Sequence, residues 1–263
     1  MKHFILSSAP NADGIIRLYE KNYHYLVRVR RLRSGDCFDA LLPDGENVKV
    51  QILSTKNKIL IGKCLEAGQL PVVQEKIPPI ALFQGLPKGN KMDLIVRQAA
   101  EGGISLIVPF QSEHSSSHLD KSSNEKIKRW ERIILEARQQ SGSAIETEIR
   151  PPCNPDLLLE YWNSIKKEYS RPIGIIFHQE PLARKSFHGY LGNNPDYVVM
   201  VVGPEGGFSA KELVSFMAAG FMPLLMGNTI LRTETAALYG AAIIRILLLE
   251  KEEWTPSLKE SCS

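Results

Sequence analysis

Gly203-Pro204-Glu205-Gly206-Gly207-Phe208-Ser209 follows the apolar run Tyr197-Val198-Val199-Met200-Val201-Val202 and leads into a helix start at Ala210. An unbroken apolar run reads as a strand buried on both faces, as in a parallel sheet. Ser209 and Glu212 have the spacing of a capping box. Three glycines let the backbone approach a ligand closely, and Pro204 stiffens the turn. The loop is not a dinucleotide fingerprint, because GxGxxG is not matched. Nor is it a phosphate loop, because no Gly-Lys-Ser/Thr follows. By itself it could be no more than a turn.

Outward from this stretch the same grammar repeats. Residues 80–83, 104–110, 173–177 and 221–226 read as further apolar strands. Helical segments fall between them: 90–101 with Asn90 as cap, 123–140, 156–166, one from 210, and a long one from 233 to 249. In the second of these, Ile127, Trp130, Ile134 and Ala137 mark one face at helical spacing. Strands alternating with helices predict a parallel α/β sheet covered on both sides. Ligand sites in such sheets lie beyond the carboxyl ends of the strands. A second long loop stands there, Met226-Gly227-Asn228-Thr229-Ile230-Leu231-Arg232-Thr233-Glu234-Thr235-Ala236, at the start of the last helix. It holds more polar chemistry than a cap requires. The plainer reading is an Arg232–Glu234 ion pair with Thr233 as the cap.

The first 70 residues differ. Segments 38–42, 48–53 and 59–65 are short strands divided by turn signals at Pro43-Asp44-Gly45 and Lys56-Asn57-Lys58, the pattern of a small β-barrel. Ahead of them lies Tyr23-His24-Tyr25-Leu26-Val27-Arg28-Val29-Arg30-Arg31-Leu32-Arg33. Arginines beside tyrosines suit phosphate contact and base stacking, and an amphipathic segment with a basic face is the plainer alternative. Residues 1–70 carry 11 basic and 7 acidic residues, against 21 and 22 in the remainder, so the net charge of +3 hides a basic module. That asymmetry points toward a polyanionic partner. The proline-bearing stretch 68–79 is the expected boundary, and 251–263 reads as a tail.

Other classes are excluded or disfavoured. No apolar run approaches the roughly 18 residues of a spanning helix, and the opening residues are too short for a signal-peptide core. Cys37, Cys64, Cys153 and Cys262 are scattered, and His3, His24, His114, His118, His178 and His188 are not at metal spacing. The expectation is a reducing cytoplasm with no disulfide framework and no metal.

Taken together, the GPEGGFS and ILRTETA loops are specific. In this order, each following a strand and opening a helix, they resemble the SPOUT superfamily of methyltransferases. More narrowly they are similar to the bacterial small-subunit ribosomal RNA uracil-N3 methyltransferase family. Further matching segments are 23–36, Leu86-Pro87-Lys88-Gly89, Ile107-Val108-Pro109 with Ser112-Glu113, Arg129-Trp130, Glu136-Ala137 and Gln140-Ser141-Gly142. The resemblance implies a PUA-like β-barrel over residues 1–72 that binds RNA, then an α/β domain over 73–250 with a trefoil knot. It implies a homodimer through the knot region and S-adenosylmethionine held by the loops after the last strands. By match of motif, the cofactor candidates are Phe177, Gly203, Glu205, Gly206, Gly207, Met226, Gly227, Ile230, Leu231 and Arg232. Arg232 is the candidate for stabilising charge on the base. Glu234 would orient it or relay a proton. Arg28, Arg30, Arg31 and Arg33 are the RNA-phosphate candidates. The chain departs from the family pattern at Met226, where Leu is usual, and at Gln139, where Glu is frequent. It also departs at Thr229, His114 and Ser143, where Arg is common, so RNA contacts are weakened or relocated. The expected partner is ribosomal RNA or the small subunit. Alternatives are a knotted methyltransferase for another RNA, or a non-catalytic RNA-binding ribosome-assembly protein.

Overall fold

The structure is a computed structural model that describes residues 4–6, 8–43, 46–65, 77–115, 123–179, 187–192 and 194–250. The first three residues, Asp44-Gly45 of the expected turn, most of the expected 68–79 boundary, His118 and the 251–263 tail lie outside them. The chain divides into two compact units, Met1–Gln74 with Arg138–Ala144, and Glu75–Ala137 with Ile145–Ser263.

The first unit is a five-stranded sheet built from β1 (Phe4–Ile5), β2 (Ile15–Leu18), β3 (Cys37–Leu41), β4 (Asn47–Ser54) and β5 (Leu60–Leu65). The order is β1-β3-β4-β5-β2, with only β1 and β3 parallel. Alternation does the sorting: Val48, Val50 and Ile52 face inward with Phe38, Ala40 and Leu60. Asn57 and Lys58 have φ of 53° and 57°, the pair of positive values that a type I′ hairpin turn requires.

The basic stretch takes a form that sequence patterning did not predict. A short helix, α1 (Glu20–Tyr23), runs into a π-helical turn over His24–Val29, in which the Arg30 N–H donates to the Tyr25 carbonyl at 2.9 Å. The wide turn puts Leu26 fully inside the core, with Tyr25 and Val27 packed against it. Arg28, Arg31 and Arg33 are left exposed and Arg30 half-buried. Such turns are rare and are frequent at functional sites.

The second unit is a six-stranded, wholly parallel sheet: β6 (Ile80–Gly85), β7 (Leu106–Phe110), β8 (Glu148–Ile149), β9 (Pro172–Phe177), β10 (Tyr197–Val202) and β11 (Met222–Leu224). The order is β11-β9-β10-β6-β7-β8. The chain works outward from β6 through β7 to β8. It then returns on the other side of β6 at β9, one place away, and β10 fills the gap. The carboxyl ends of β6 and β10 therefore meet at a switch point, where a crevice forms in this class of sheet.

Both faces are covered. Ile80 and Leu82 pack with α2 (Lys91–Glu101), α3 (Ser123–Ser141) and α7 (Thr233–Leu249), as do Val198 and Met200. Ala81, Phe83, Val199 and Val201 pack with α4 (Pro155–Glu168) and α6 (Ala210–Ala218) through Trp162 and Phe216, and with Phe221 just before β11. A sixth helix of this unit is α5 (Phe187–Leu191). All six residues of β6 and of β10 are buried. Each such large apolar side chain contributes about 1.5–3 kcal/mol by leaving water. No helix among the described residues is long and apolar enough to cross a membrane.

Three local expectations are corrected. The strand expected over 221–226 ends at Leu224, because its partner strand ends at Phe177 and Gly227 turns the chain at φ 119°. Asn90 precedes α2, but at φ −94° and ψ 12° its side chain makes no cap; its carbonyl accepts from Asp93 N–H instead. Neither Thr233 nor an Arg232–Glu234 ion pair closes the start of α7: Thr233 bonds elsewhere, and the Glu234 carboxylate faces Lys91.

Candidate active site

The glycine-rich loop leaves β10 at the switch point and is gripped from three sides. Gly85, ending β6, lies against it so closely that a Cβ there would sit 2.6 Å from both N and Cδ of Pro204. Gly207 turns the loop at φ 68°, with its N–H donating to the Pro204 carbonyl at 2.9 Å. On a second side, a ring nitrogen of His114, Nδ1, lies 3.0 Å from the Gly206 carbonyl. A carbonyl only accepts, so Nδ1 carries the proton.

The expected capping box is present: Ser209 Oγ accepts from Glu212 N–H, and Glu212 accepts from Ser209 N–H. The buried Glu212 carboxylate also accepts from Ser112 Oγ and Glu113 N–H, each at 3.0 Å. Ser209→Ala should cost about 1 kcal/mol, read as a lowered midpoint in denaturant unfolding.

The third grip comes from the segment between β6 and α2. Lys88 N–H donates to both oxygens of Glu205 at 3.2 Å, and Lys91 Nζ lies 2.6 Å from Glu205 Oε1. Partial burial raises the Glu205 carboxyl, but the bonds from Lys91 and from backbone N–H groups outweigh it, so the group is held below its usual range. The hydrogen bond to Glu205 holds the Lys91 ammonium above its own.

The second loop lies at the same end of the sheet. Thr233 Oγ donates to the Gly203 carbonyl at 2.6 Å and accepts from the fully buried Gln84 Nε2 at 2.9 Å. One hydroxyl thus ties the start of α7 to the start of the glycine loop. Met226 and Leu231 are half-buried; Gly227 and Ile230 are exposed, Ile230 at 82%. Phe177 is buried at the end of β9 with its ring against Gly240 of α7. Arg232 is exposed, and among the described residues no hydrogen bond or ion pair engages its guanidinium. Glu234 Oε2 is buried without a hydrogen-bond partner, 3.8 Å from Lys91 Nζ.

The structure therefore brings the residues 203–207 and the start of α7 together. Lys91, Gln84 and Gly85 were missed in the sequence. Signals for two of them were present. Gln84 is the lone polar side chain in a strand otherwise apolar or glycine, and Lys91 is a cation at a helix N-terminus, where the dipole disfavours it. The RNA-phosphate candidates Arg28, Arg30, Arg31 and Arg33 lie in the first unit. A cleft of about 450 Å³, lined by residues such as Ser112, Glu113, Asp156, Lys211 and Glu212, lies beside the capping box and takes in neither loop. Among the described residues no cluster of three or more His, Cys, Asp or Glu is placed to hold a metal ion.

The arrangement of two backbone-rich loops at the switch point agrees with the comparisons. The family model for the RNA methyltransferase domain matches residues 74–245, and that for the RNA methyltransferase PUA domain matches 18–64. The chain belongs to the RNA methyltransferase family. Among its curated relatives, ribosomal RNA small subunit methyltransferase E 2 of Borreliella burgdorferi is 31% identical over 94% of this chain and 98% of its own length. Ribosomal RNA small subunit methyltransferase E of Synechocystis is 31% identical over 90% and 74%. Among solved structures, the Neisseria gonorrhoeae ribosomal RNA small subunit methyltransferase E bound to S-adenosylmethionine has a TM-score of 0.80 at 23% identity, over 94% of this chain and 98% of that one. A Legionella pneumophila protein solved with the same cofactor has a TM-score of 0.75 at 26% identity, over 93% and 96%. The fold of this RNA methyltransferase is thus the knotted SPOUT α/β domain preceded by a PUA-like β-module, as the loops imply.

Proposed function

We propose that this RNA methyltransferase transfers a methyl group from S-adenosylmethionine to N3 of one uridine in small-subunit ribosomal RNA. The observation that carries the reading is the joining of the two loops by Thr233 at the switch point of the sheet. Residues 1–72 would serve as the RNA-docking module and 73–250 as the methyltransferase domain. The site's residues fit the cofactor. Bare backbone at 203–207 and Gly227 offers polar groups to an adenine. Met226, Ile230 and Leu231 offer apolar walls, and Ile230 stands open to receive one. Phe177, Glu205, Gly206 and Gly207 complete the candidate set.

When bound, S-adenosylmethionine supplies a methyl group on a sulfonium, whose departure leaves a neutral thioether. The chain must therefore chiefly align the acceptor and exclude water. Uracil N3 is a weak nucleophile while it keeps its proton, so negative charge must be drawn onto the base. Arg232, with its guanidinium unengaged, is the group to stabilise that charge. Glu234 is held toward Lys91, which favours a shaping role over orienting Arg232.

The exposed Arg28, Arg31 and Arg33, with half-buried Arg30, suit RNA phosphates. Replacing Arg28, Arg30 and Arg31 with Gln should weaken RNA binding and make its logarithmic salt slope shallower by about 0.7–0.9 per lost contact. An unchanged slope in a filter-binding titration removes them from the interface. Tyr239, Ile243 and Ile246 form an exposed apolar stripe along α7, a surface suited to a second copy of the chain. Calorimetry of the purified protein with S-adenosylmethionine tests the reading as a whole. Binding is expected, and its absence would favour a non-catalytic RNA-binding protein.

A further inference from the structure

The segment from Gln84 to Lys91 connects β6 to α2, and it touches both loops. At its buried end, Gln84 Nε2 donates to Thr233 Oγ, which donates to the Gly203 carbonyl. At its outer end, Lys91 Nζ lies 2.6 Å from Glu205 Oε1 and 3.8 Å from Glu234 Oε2. Glu205 belongs to the first loop, and Glu234 to the first turn that the second loop opens. Lys91 sits in the first turn of α2, where the helix dipole works against a cation. The two carboxylates offset that cost. Glu234 Oε2 is buried with no hydrogen-bond partner, and Lys91 Nζ at 3.8 Å is the cation that faces it. Without Lys91, no cation would stand between the two carboxylates, and their repulsion would push the loops apart.

We propose that Lys91 is a positioning residue: its ammonium holds Glu205 and Glu234 in one arrangement, so that the two loops form a single preorganised pocket before the cofactor arrives. The proposal rests on reading these loops as the S-adenosylmethionine site. Preorganisation acts on affinity, because a pocket already ordered avoids the ordering cost at binding. Lys91 does not touch the reacting atoms in this account. It acts through Glu205 and Glu234, and its loss should raise KM for the cofactor far more than it lowers kcat.

The test compares the parent protein with Lys91→Met, Lys91→Arg, Glu234→Gln and the double variant Lys91→Met/Glu234→Gln. In the ligand-free proteins, hydrogen exchange reads the Gly207 and Ala236 amides, which are bonded to the Pro204 and Arg232 carbonyls. Lys91→Met should speed both, and Lys91→Arg should restore protection. In calorimetry, Lys91→Met should weaken S-adenosylmethionine binding by roughly twofold to fivefold, the scale of a partly exposed ion pair. The double variant should recover part of that loss, because removing one carboxylate removes the repulsion. A residue that merely stabilised α2 would show no such coupling. Unchanged exchange at both amides in Lys91→Met, or losses in the double variant equal to the sum of the single losses, would overturn the proposal. If the parent itself binds no S-adenosylmethionine, the proposed function fails, and the exchange result still decides whether Lys91 clasps the loops.

Discussion

Arg232→Ala should lower kcat for RNA methylation by about two to three orders of magnitude while changing S-adenosylmethionine affinity less than tenfold. The size is that of removing one donor aimed at developing charge. The split follows from where the residue sits. Its backbone starts α7 in extended geometry at φ −64° and ψ 152°, and its carbonyl accepts from Ala236 N–H at 2.8 Å. Alanine keeps both features, so the loop retains its course. Only the exposed guanidinium is lost, and among the described residues it bonds to nothing. Single-turnover methylation with saturating RNA measures the step. A variant with the parental rate shows that another group carries the charge on the base.

Gly85→Ala should cost about 1–3 kcal/mol of stability and weaken cofactor binding at least tenfold. The reason is the identity of the atoms its methyl would meet. The new Cβ would lie 2.6 Å from Pro204 N and 3.0 Å from the Gly203 carbonyl carbon, which are backbone atoms and cannot rotate away. The glycine loop must therefore move as a whole, and it leads into the Ser209–Glu212 capping box. It is also bonded to Lys88, Lys91, His114 and Thr233, so the displacement strains each tie. Chemical denaturation and calorimetry read the two effects separately. A variant that unfolds at the parental midpoint and binds the cofactor normally would mean that the loop has slack the packing does not suggest.

Much of the second unit is legible in sequence because its information is local. The limits of β10 and α7 follow from apolar runs and the start of α6 from its cap, and all three match the expected residues. The Ser209–Glu212 cap needs only a spacing of three. What was illegible is long-range. Gln84 meets Thr233 across 149 positions and Lys91 meets Glu205 across 114, and no local pattern encodes either pairing. Thr233 shows the consequence. Locally it reads as a cap, yet the folded chain brings the Gly203 carbonyl within 2.6 Å, and its hydroxyl is spent there. The π-helical turn at His24–Val29 is hidden for a related reason. Sequence marks Arg28 as basic, but only packing of Leu26 into the β-module selects the wide turn that leaves Arg28 exposed.

The central claim is that the site joined by Thr233 methylates N3 of a uridine in small-subunit ribosomal RNA. The most direct test is nucleoside mass spectrometry of small-subunit ribosomal RNA from a strain lacking this gene, before and after complementation. The account predicts that 3-methyluridine disappears on deletion and returns with the parental gene. Undiminished 3-methyluridine in the deletion strain would contradict it.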